Sequence, residues 1–255
     1  MKIKRIMPET NNINSKVALI TGAARRIGAE TARVLHADGM NIVIHYRKTR
    51  SDALALQSEL NAIRSDSVII VQADLSKSKG IMPLILQCKE TFGRLDVLIN
   101  NASSFYPTPV GTVTDDQWDD LMSSNLKAPF FLSQAAAPML KKYKGCIVNI
   151  VDIHADRPLK EHPVYCMAKS GLVMMTKSLA RELGPEIRVN AVAPGAIIWP
   201  ENDLDELTKQ RILSRTTLKR EGKPNDIANT ILFLISQAPY ITGQVISVDG
   251  GRSLT

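Results

Sequence analysis

Tyr165 and Lys169 stand one helical turn apart in "VYCMAK", and Asp152 lies thirteen residues before the tyrosine, just past the apolar run "CIVNIV". Groups four apart on a helix face each other, and a cation there favours the phenolate of a tyrosine whose free pKa is near 10. An ionised carboxylate only accepts hydrogen bonds; a protonated one can also donate. Phenol, ammonium and carboxyl together have the make-up of a proton-handling site. The plainer reading of Asp152 is a capping or loop carboxylate. Cys166 beside Tyr165 offers a thiol nucleophile or simply a small helix residue.

A second constellation precedes it. "TGAARRIG" (Thr21–Gly28) sits between the apolar run "KVALIT" and the amphipathic "AETARVLHADG". Gly22 suits a tight turn, Gly28 allows close packing of helix on strand, and N–H groups at a helix start can face a pyrophosphate. The middle glycine of G-x-G-x-x-G is absent, and Arg25 and Arg26 occupy that part of the loop. The next apolar run ends in "HYRKTR", with His45, Arg47, Lys48 and Thr49 where an NAD site usually has an acid. Arg and Lys bind a 2′-phosphate that a carboxylate would repel, which favours NADPH over NADH. Asp74, after the third run, is placed to accept a hydrogen bond from an adenine amino group.

The elements that must position these groups alternate regularly. Strand-length runs "KVALIT", "NIVIHY", "SVIIVQ", "LDVLIN", "CIVNIV", "IRVNAV" and "QVISV" are separated by helix-length amphipathic stretches. One helix is expected across "DALALQSELNAIR", with Leu54, Leu56, Leu60 and Ile63 largely on one side. A long helical region is expected from Asp115 to about Lys142, one carrying Tyr165 to Leu183, and one around Asp226–Ser236. Seven such runs, many apolar on both faces, predict parallel strands joined by right-handed crossovers in one doubly wound sheet. Residues 1–14 read as a tail, and residues 15–255 as one domain.

The 255 residues carry 44% hydrophobic and 22% charged side chains and a net charge of +7, ordinary for a globular protein with a large core. The basic residues form no run of five and no aromatic-interleaved patch, so no nucleic-acid partner is expected. An anionic cofactor or substrate accounts for part of the excess. No apolar run approaches the roughly 18 residues of a membrane span, and the first residues lack an apolar signal region. Cys88, Cys146 and Cys166 match no disulfide framework or metal spacing, so reduced thiols, no metal and a cytoplasmic location are expected.

Taken in order, TG(x)5G, "NNA" at Asn100–Ala102, Tyr-x-x-x-Lys at Tyr165–Lys169, "PG" at Pro194–Gly195 and "DGG" at Asp249–Gly251 resemble the short-chain dehydrogenase/reductase family, from Lys16 to about Ser253. Within it, the arginine-rich turn, "HYRKT", "NNASSFYPTP" and an acid at 152, where most members carry a serine, resemble the pteridine reductases. The resemblance implies a Rossmann-type, doubly wound, seven-stranded parallel sheet with helices on both faces. It implies an NADPH-dependent enzyme reducing C=N bonds of dihydropterins, with dihydrofolate and oxidised pterins as further candidates, and a homotetramer. Tyr165 would help supply the proton that accompanies hydride transfer. Lys169 would also bond the nicotinamide ribose, and Asn125 would help hold a water chain behind it. Cofactor contacts fall to Gly22, Arg26, Ile27, His45, Tyr46, Arg47, Lys48, Thr49, Asp74, Leu75, Asn101, Ala102, Ser103, Tyr165, Lys169, Pro194 and Gly195.

Substrate contacts fall to Arg26, Ser103, Phe105, Asp152, Tyr165 and Trp199. Phe105 would stack on a planar heterocycle, or be a core phenylalanine; Trp199 fits a pocket wall and a packing position equally. His154 and His162 read as surface loop residues. Residues 196–226 would form a substrate loop and helices. An acid at 152 suits a substrate presenting N–H groups, or an imine nitrogen if the acid is kept neutral. A carbonyl substrate, such as a 3-oxoacyl thioester, would be served better by serine. A non-catalytic NADPH-binding regulator is the alternative of another class, and the intact Tyr165, Lys169 and Asn125 speak against it.

Overall fold

A computed structural model of the chain describes residues 15–197 and 205–254. Seven strands form one all-parallel sheet: β1 (Val17–Ile20), β2 (Asn41–Tyr46), β3 (Val68–Gln72), β4 (Val97–Asn100), β5 (Cys146–Ile150), β6 (Arg188–Pro194) and β7 (Val245–Val248). The spatial order is β3-β2-β1-β4-β5-β6-β7, and every neighbouring pair is parallel. The helices are α1 (Arg26–Ala37), α2 (Arg50–Ile63), α3 (Ile81–Phe92), α4 (Asp115–Met122), α5 (Ala128–Lys142), α6 (Pro163–Leu183), α7 (Glu206–Ser214) and α8 (Pro224–Ser236).

Strand side chains alternate between the two faces. Ala18 and Ile20 of β1 join one core layer with Leu35 of α1, Leu56 of α2 and Ile231 of α8. Val17 and Leu19 join the other with Leu84 of α3, Leu132 of α5 and Ala180 of α6. All four β1 residues are buried, as a sheet covered on both sides requires. Each such Leu or Ile contributes roughly 1.5–3 kcal/mol by leaving water.

The buried stripe of α2 is Ala53, Leu56 and Leu60, not the one expected. Leu54 is 41% exposed and Ile63 74% exposed. At 100° per residue Leu54 faces away from Leu56, and Ile63 continues the stripe only at the helix's last residue.

The expected long helix is interrupted. A capping box between Thr114 and Gln117 starts α4, with Asp115 and Asp116 in its first turn. A π-helical segment, Ser123–Lys127, then joins α4 to α5. Such single-turn insertions often sit at functional sites, and this one carries Asn125.

Strand order reverses at β1, which has β2 on one side and β4 on the other. The chain leaving β1 and the chain leaving β4 therefore diverge, and a crevice opens above their C-terminal ends.

Candidate active site

The turn after β1 lines the floor of that crevice. Gly22 has φ +61, a left-handed value that glycine adopts without steric cost. A Cβ on Gly28 would come within 2.7 Å of Asn101 Nδ2 and of the Gly22 carbonyl oxygen, so only glycine fits there. Arg26, at the place of the missing middle glycine, has φ +54. A left-handed value costs a non-glycine residue about 1 kcal/mol or more, so the turn keeps its glycine shape with an arginine on it.

The end of β4 braces the turn. Thr21 Oγ1 accepts the N–H groups of Asn101 and Ala102, both at 2.9 Å. Asn101 Nδ2 donates back to the Thr21 and Gly22 carbonyls at 2.8 and 3.1 Å. Arg25 pairs with Asp52 of α2 at 2.8 Å. Below, Asn100 donates to Asn149 at 2.8 Å, and Asn149 to Thr176 at 2.9 Å, a polar rung across the buried sheet. Nothing in the sequence distinguished Asn149 or Thr176 from any other strand or helix residue.

Arg47, Lys48 and Thr49 line the crevice at the end of β2, with Tyr46 buried behind them. Arg47 Nη1 lies 3.8 Å from Asp120 Oδ1, whose other oxygen accepts the Tyr106 hydroxyl at 3.1 Å. Asp74 Oδ1 accepts the hydroxyl and N–H of Ser76 at 2.7 and 3.1 Å, and the hydroxyl's bond, first among its influences, lowers the Asp74 pKa.

At the other end, β5 delivers Asp152 and α6 delivers Tyr165 and Lys169. The Tyr165 hydroxyl donates to Asp152 Oδ2 at 2.7 Å. Asp152 Oδ1 accepts the His154 N–H at 2.8 Å and caps a short 3-10 turn, Ile153–Ala155. Capping and pairing thus coexist on one carboxylate, an oxygen each. Lys169 is buried, donates to the Ile150 carbonyl at 2.9 Å, and lies 5.7 Å from the centre of the Tyr165 ring.

The electrostatics depart from the expectation of a favoured phenolate. Burial first, then the Asp152 charge and hydrogen bond, push the Tyr165 phenol well above its ordinary range, so it stays protonated. Burial lowers Lys169 to about 8, against the pull of Asp152.

Asn125 is fully buried. Its Oδ1 accepts the Ser103 hydroxyl at 2.7 Å, and its Nδ2 donates to the Ser104 and Leu121 carbonyls at 2.9 and 3.0 Å. It thus clamps the loop after β4. Phe105 on that loop is 50% exposed. Its ring stacks on His162 at 4.7 Å and meets the Tyr165 ring edge-on at 4.8 Å. Both histidines lie partly exposed outside the long helices, as expected, and the structure adds their neighbours: His162 packs on Phe105, and His154 lines the cavity. Cys166 is buried, and its Sγ accepts the Leu159 N–H at 3.3 Å.

One cavity of about 650 Å³ joins both ends. It is lined by the glycine turn with Arg26 and Ile27, by His45–Thr49, Asp74 and Leu75, by Asn101–Phe105, and by Asp152, Tyr165, Lys169, Pro194 and Gly195. Every site residue named from the sequence is on its wall except Asn125, which stands behind it, and Trp199, which lies outside the described residues, as do residues 1–14. The sequence did not single out Ser104, Ser124, Ile153 and Ile197, which also line it. Among the described residues, no helix is long and apolar enough to cross a membrane and no side-chain cluster is built to hold a metal.

Comparison with known proteins adds a family. A model described as enoyl-(acyl carrier protein) reductase matches residues 22–253. Pteridine reductase 1 of Leishmania tarentolae is 37% identical over 287 aligned positions, covering 96% of this chain and 99% of that protein. The 3-oxoacyl-[acyl-carrier-protein] reductase FabG of Staphylococcus aureus is 38% identical over 241 positions, covering 93% and 98%. Its counterpart from Thermotoga maritima is 36% identical over 244, covering 94% and 98%.

Proposed function

The chain belongs to the short-chain dehydrogenase/reductase family, and we propose that within it the protein is an NADPH-dependent pteridine reductase. The observation that carries this reading is the 2.7 Å bond from Tyr165 to Asp152 inside the cavity. A ketone oxygen bound there would meet an ionised carboxylate, which repels it, where a serine would donate to it. A pterin offers what such a pair recognises: ring C=N bonds, and an amino-pyrimidine edge whose N–H groups a carboxylate accepts.

The cavity's residues fit a dinucleotide phosphate. Gly22 turns left-handed on the cavity wall, and Arg47 and Lys48 stand at the rim with no acid in their strand end. NADPH, when bound, supplies the hydride. Tyr165, held protonated by burial and by Asp152, gives its proton to the ring nitrogen beside the reduced carbon. The Lys169 ammonium offsets the phenolate charge left behind, and the phenol regains a proton from solvent along its bond to Asp152. Arg26 and Ser103, on the cavity wall, would meet the heterocycle and phosphates, and Phe105 would offer the ring an aromatic face. The enzyme works in the cytoplasm as a homotetramer.

A second reading, a 3-oxoacyl thioester reductase, has support from the similar identity to the FabG proteins. NADPH oxidation measured with dihydrobiopterin and with an acetoacetyl thioester separates the two. We expect pterin turnover, and a drop of about a hundredfold in Asp152→Ser. Preference for the thioester, or unchanged pterin turnover in the variant, would sink the pteridine reading.

A further inference from the structure

His45 is buried under the cavity floor, one residue before the end of β2. Its carbonyl accepts the Ala23 N–H at 3.0 Å, and its Nδ1 accepts the Gly22 N–H at 3.1 Å. Its Nε2 lies 3.1 Å from the Ala73 carbonyl oxygen. A carbonyl only accepts, so Nε2 carries the hydrogen and Nδ1 the lone pair, which makes the ring a neutral imidazole of one tautomer. Burial agrees, lowering its pKa to about 4 against the weaker opposing pulls of the Ala73 bond and the Asp74 charge.

One ring therefore ties together the ends of three adjacent strands. On one side is Gly22, whose left-handed φ shapes the glycine turn. On the other is Ala73, which precedes Asp74 at the opposite lip of the same cavity. Both ring nitrogens are occupied, so the imidazole has no charge or free donor to offer a phosphate. What it offers is an acceptor and a donor on opposite edges of a rigid body.

We propose that His45 is a positioning residue for dinucleotide binding, its neutral Nδ1 holding the N–H of the Gly22 turn in place while the Ala73 bond at Nε2 only orients the ring. The proposal rests on the reading of this cavity as a nicotinamide dinucleotide site. It separates His45 from Arg47 and Lys48, which would meet phosphate directly.

Two substitutions take the ring's bonds apart. In His45→Asn the amide oxygen falls where Nδ1 stands and keeps the acceptor for Gly22. In His45→Gln the amide reaches the Nε2 position, keeps the Ala73 bond and leaves the Gly22 N–H without its acceptor. The full-length wild type is titrated first with NADPH and NADH by calorimetry, then both variants with the tighter ligand. Amide exchange at Gly22 is followed without nucleotide.

The Asn variant should bind within about threefold of wild type, and the Gln variant about tenfold more weakly, with faster Gly22 exchange. A purely structural role would lower the melting temperature of both and leave their affinities alike. Equal affinities, or tighter binding by Gln, would overturn the role of His45 while leaving the dinucleotide reading in place. Wild type that binds neither nucleotide would overturn both.

Discussion

At Lys169 two opposing effects meet. Burial removes water from the ammonium and lowers its pKa to about 8, while the Asp152 charge resists that change. The cation beside the phenol is therefore present below pH 8 and lost as pH rises through it. If the ammonium offsets the charge left on Tyr165, kcat/KM should fall above about pH 8, by up to tenfold per unit. A pH profile of kcat/KM with NADPH and dihydrobiopterin checks this; a flat profile to pH 10 would remove the ammonium from the rate-limiting chemistry. The same carboxylate raises the phenol's pKa, so Asp152 keeps the proton on Tyr165 rather than drawing it off. The sequence made the trio visible through spacing and type. It did not reveal which way the phenol would shift, because the Tyr–Lys spacing is local, whereas the dominant influences are burial and a carboxylate from another element.

At the scale of elements, the junction of β1 and α1 is held by contacts that tolerate no added atom. A Cβ on Gly28 would meet Asn101 Nδ2, the Gly22 oxygen and the Ala23 Cα at 2.7, 2.7 and 2.8 Å. Two of these are backbone atoms that cannot swing aside. Gly28→Ala should cost about 1–3 kcal/mol, a drop of several degrees in Tm, and should weaken NADPH binding, since Asn101 braces the turn. Calorimetric melting and nucleotide titration together test this, and unchanged values in both would show that the turn can relax. Element identities and order were legible because each strand is a short apolar run and each helix an amphipathic one. The π-helical break at Ser123–Lys127 was not, since its residues continue a helical pattern without a Pro or Gly. Nor was the true face of α2, where leucines outnumber the positions the sheet can cover.

At the scale of the whole molecule, the outer face of α5 and α6 stays apolar. Phe130 is 41% and Met174 61% exposed, and with Leu126 and Phe131 they border a groove of about 480 Å³ between the helices. The proposed homotetramer would give this face a partner in a second copy. Met174→Glu would place a charge in that contact. Light scattering should find about four chain masses for the wild type and a smaller species for the variant. A wild type of one chain mass at micromolar concentration would rule the assembly out.

The sequence by itself determined the doubly wound sheet, its seven strands, and the residue types gathered at the two ends of one crevice. Period and spacing encode those directly, because a strand or helix declares itself within ten residues. Only the tertiary structure decided how the groups are used. It set Asp152 as cap and hydrogen-bond acceptor at once, His45 as a neutral strut, Asn125 as a clamp on the loop bearing Ser103 and Phe105, and His162 as the stacking neighbour of Phe105. Those roles depend on burial and on partners far away in the chain, and neither is written in the spacing of nearby residues.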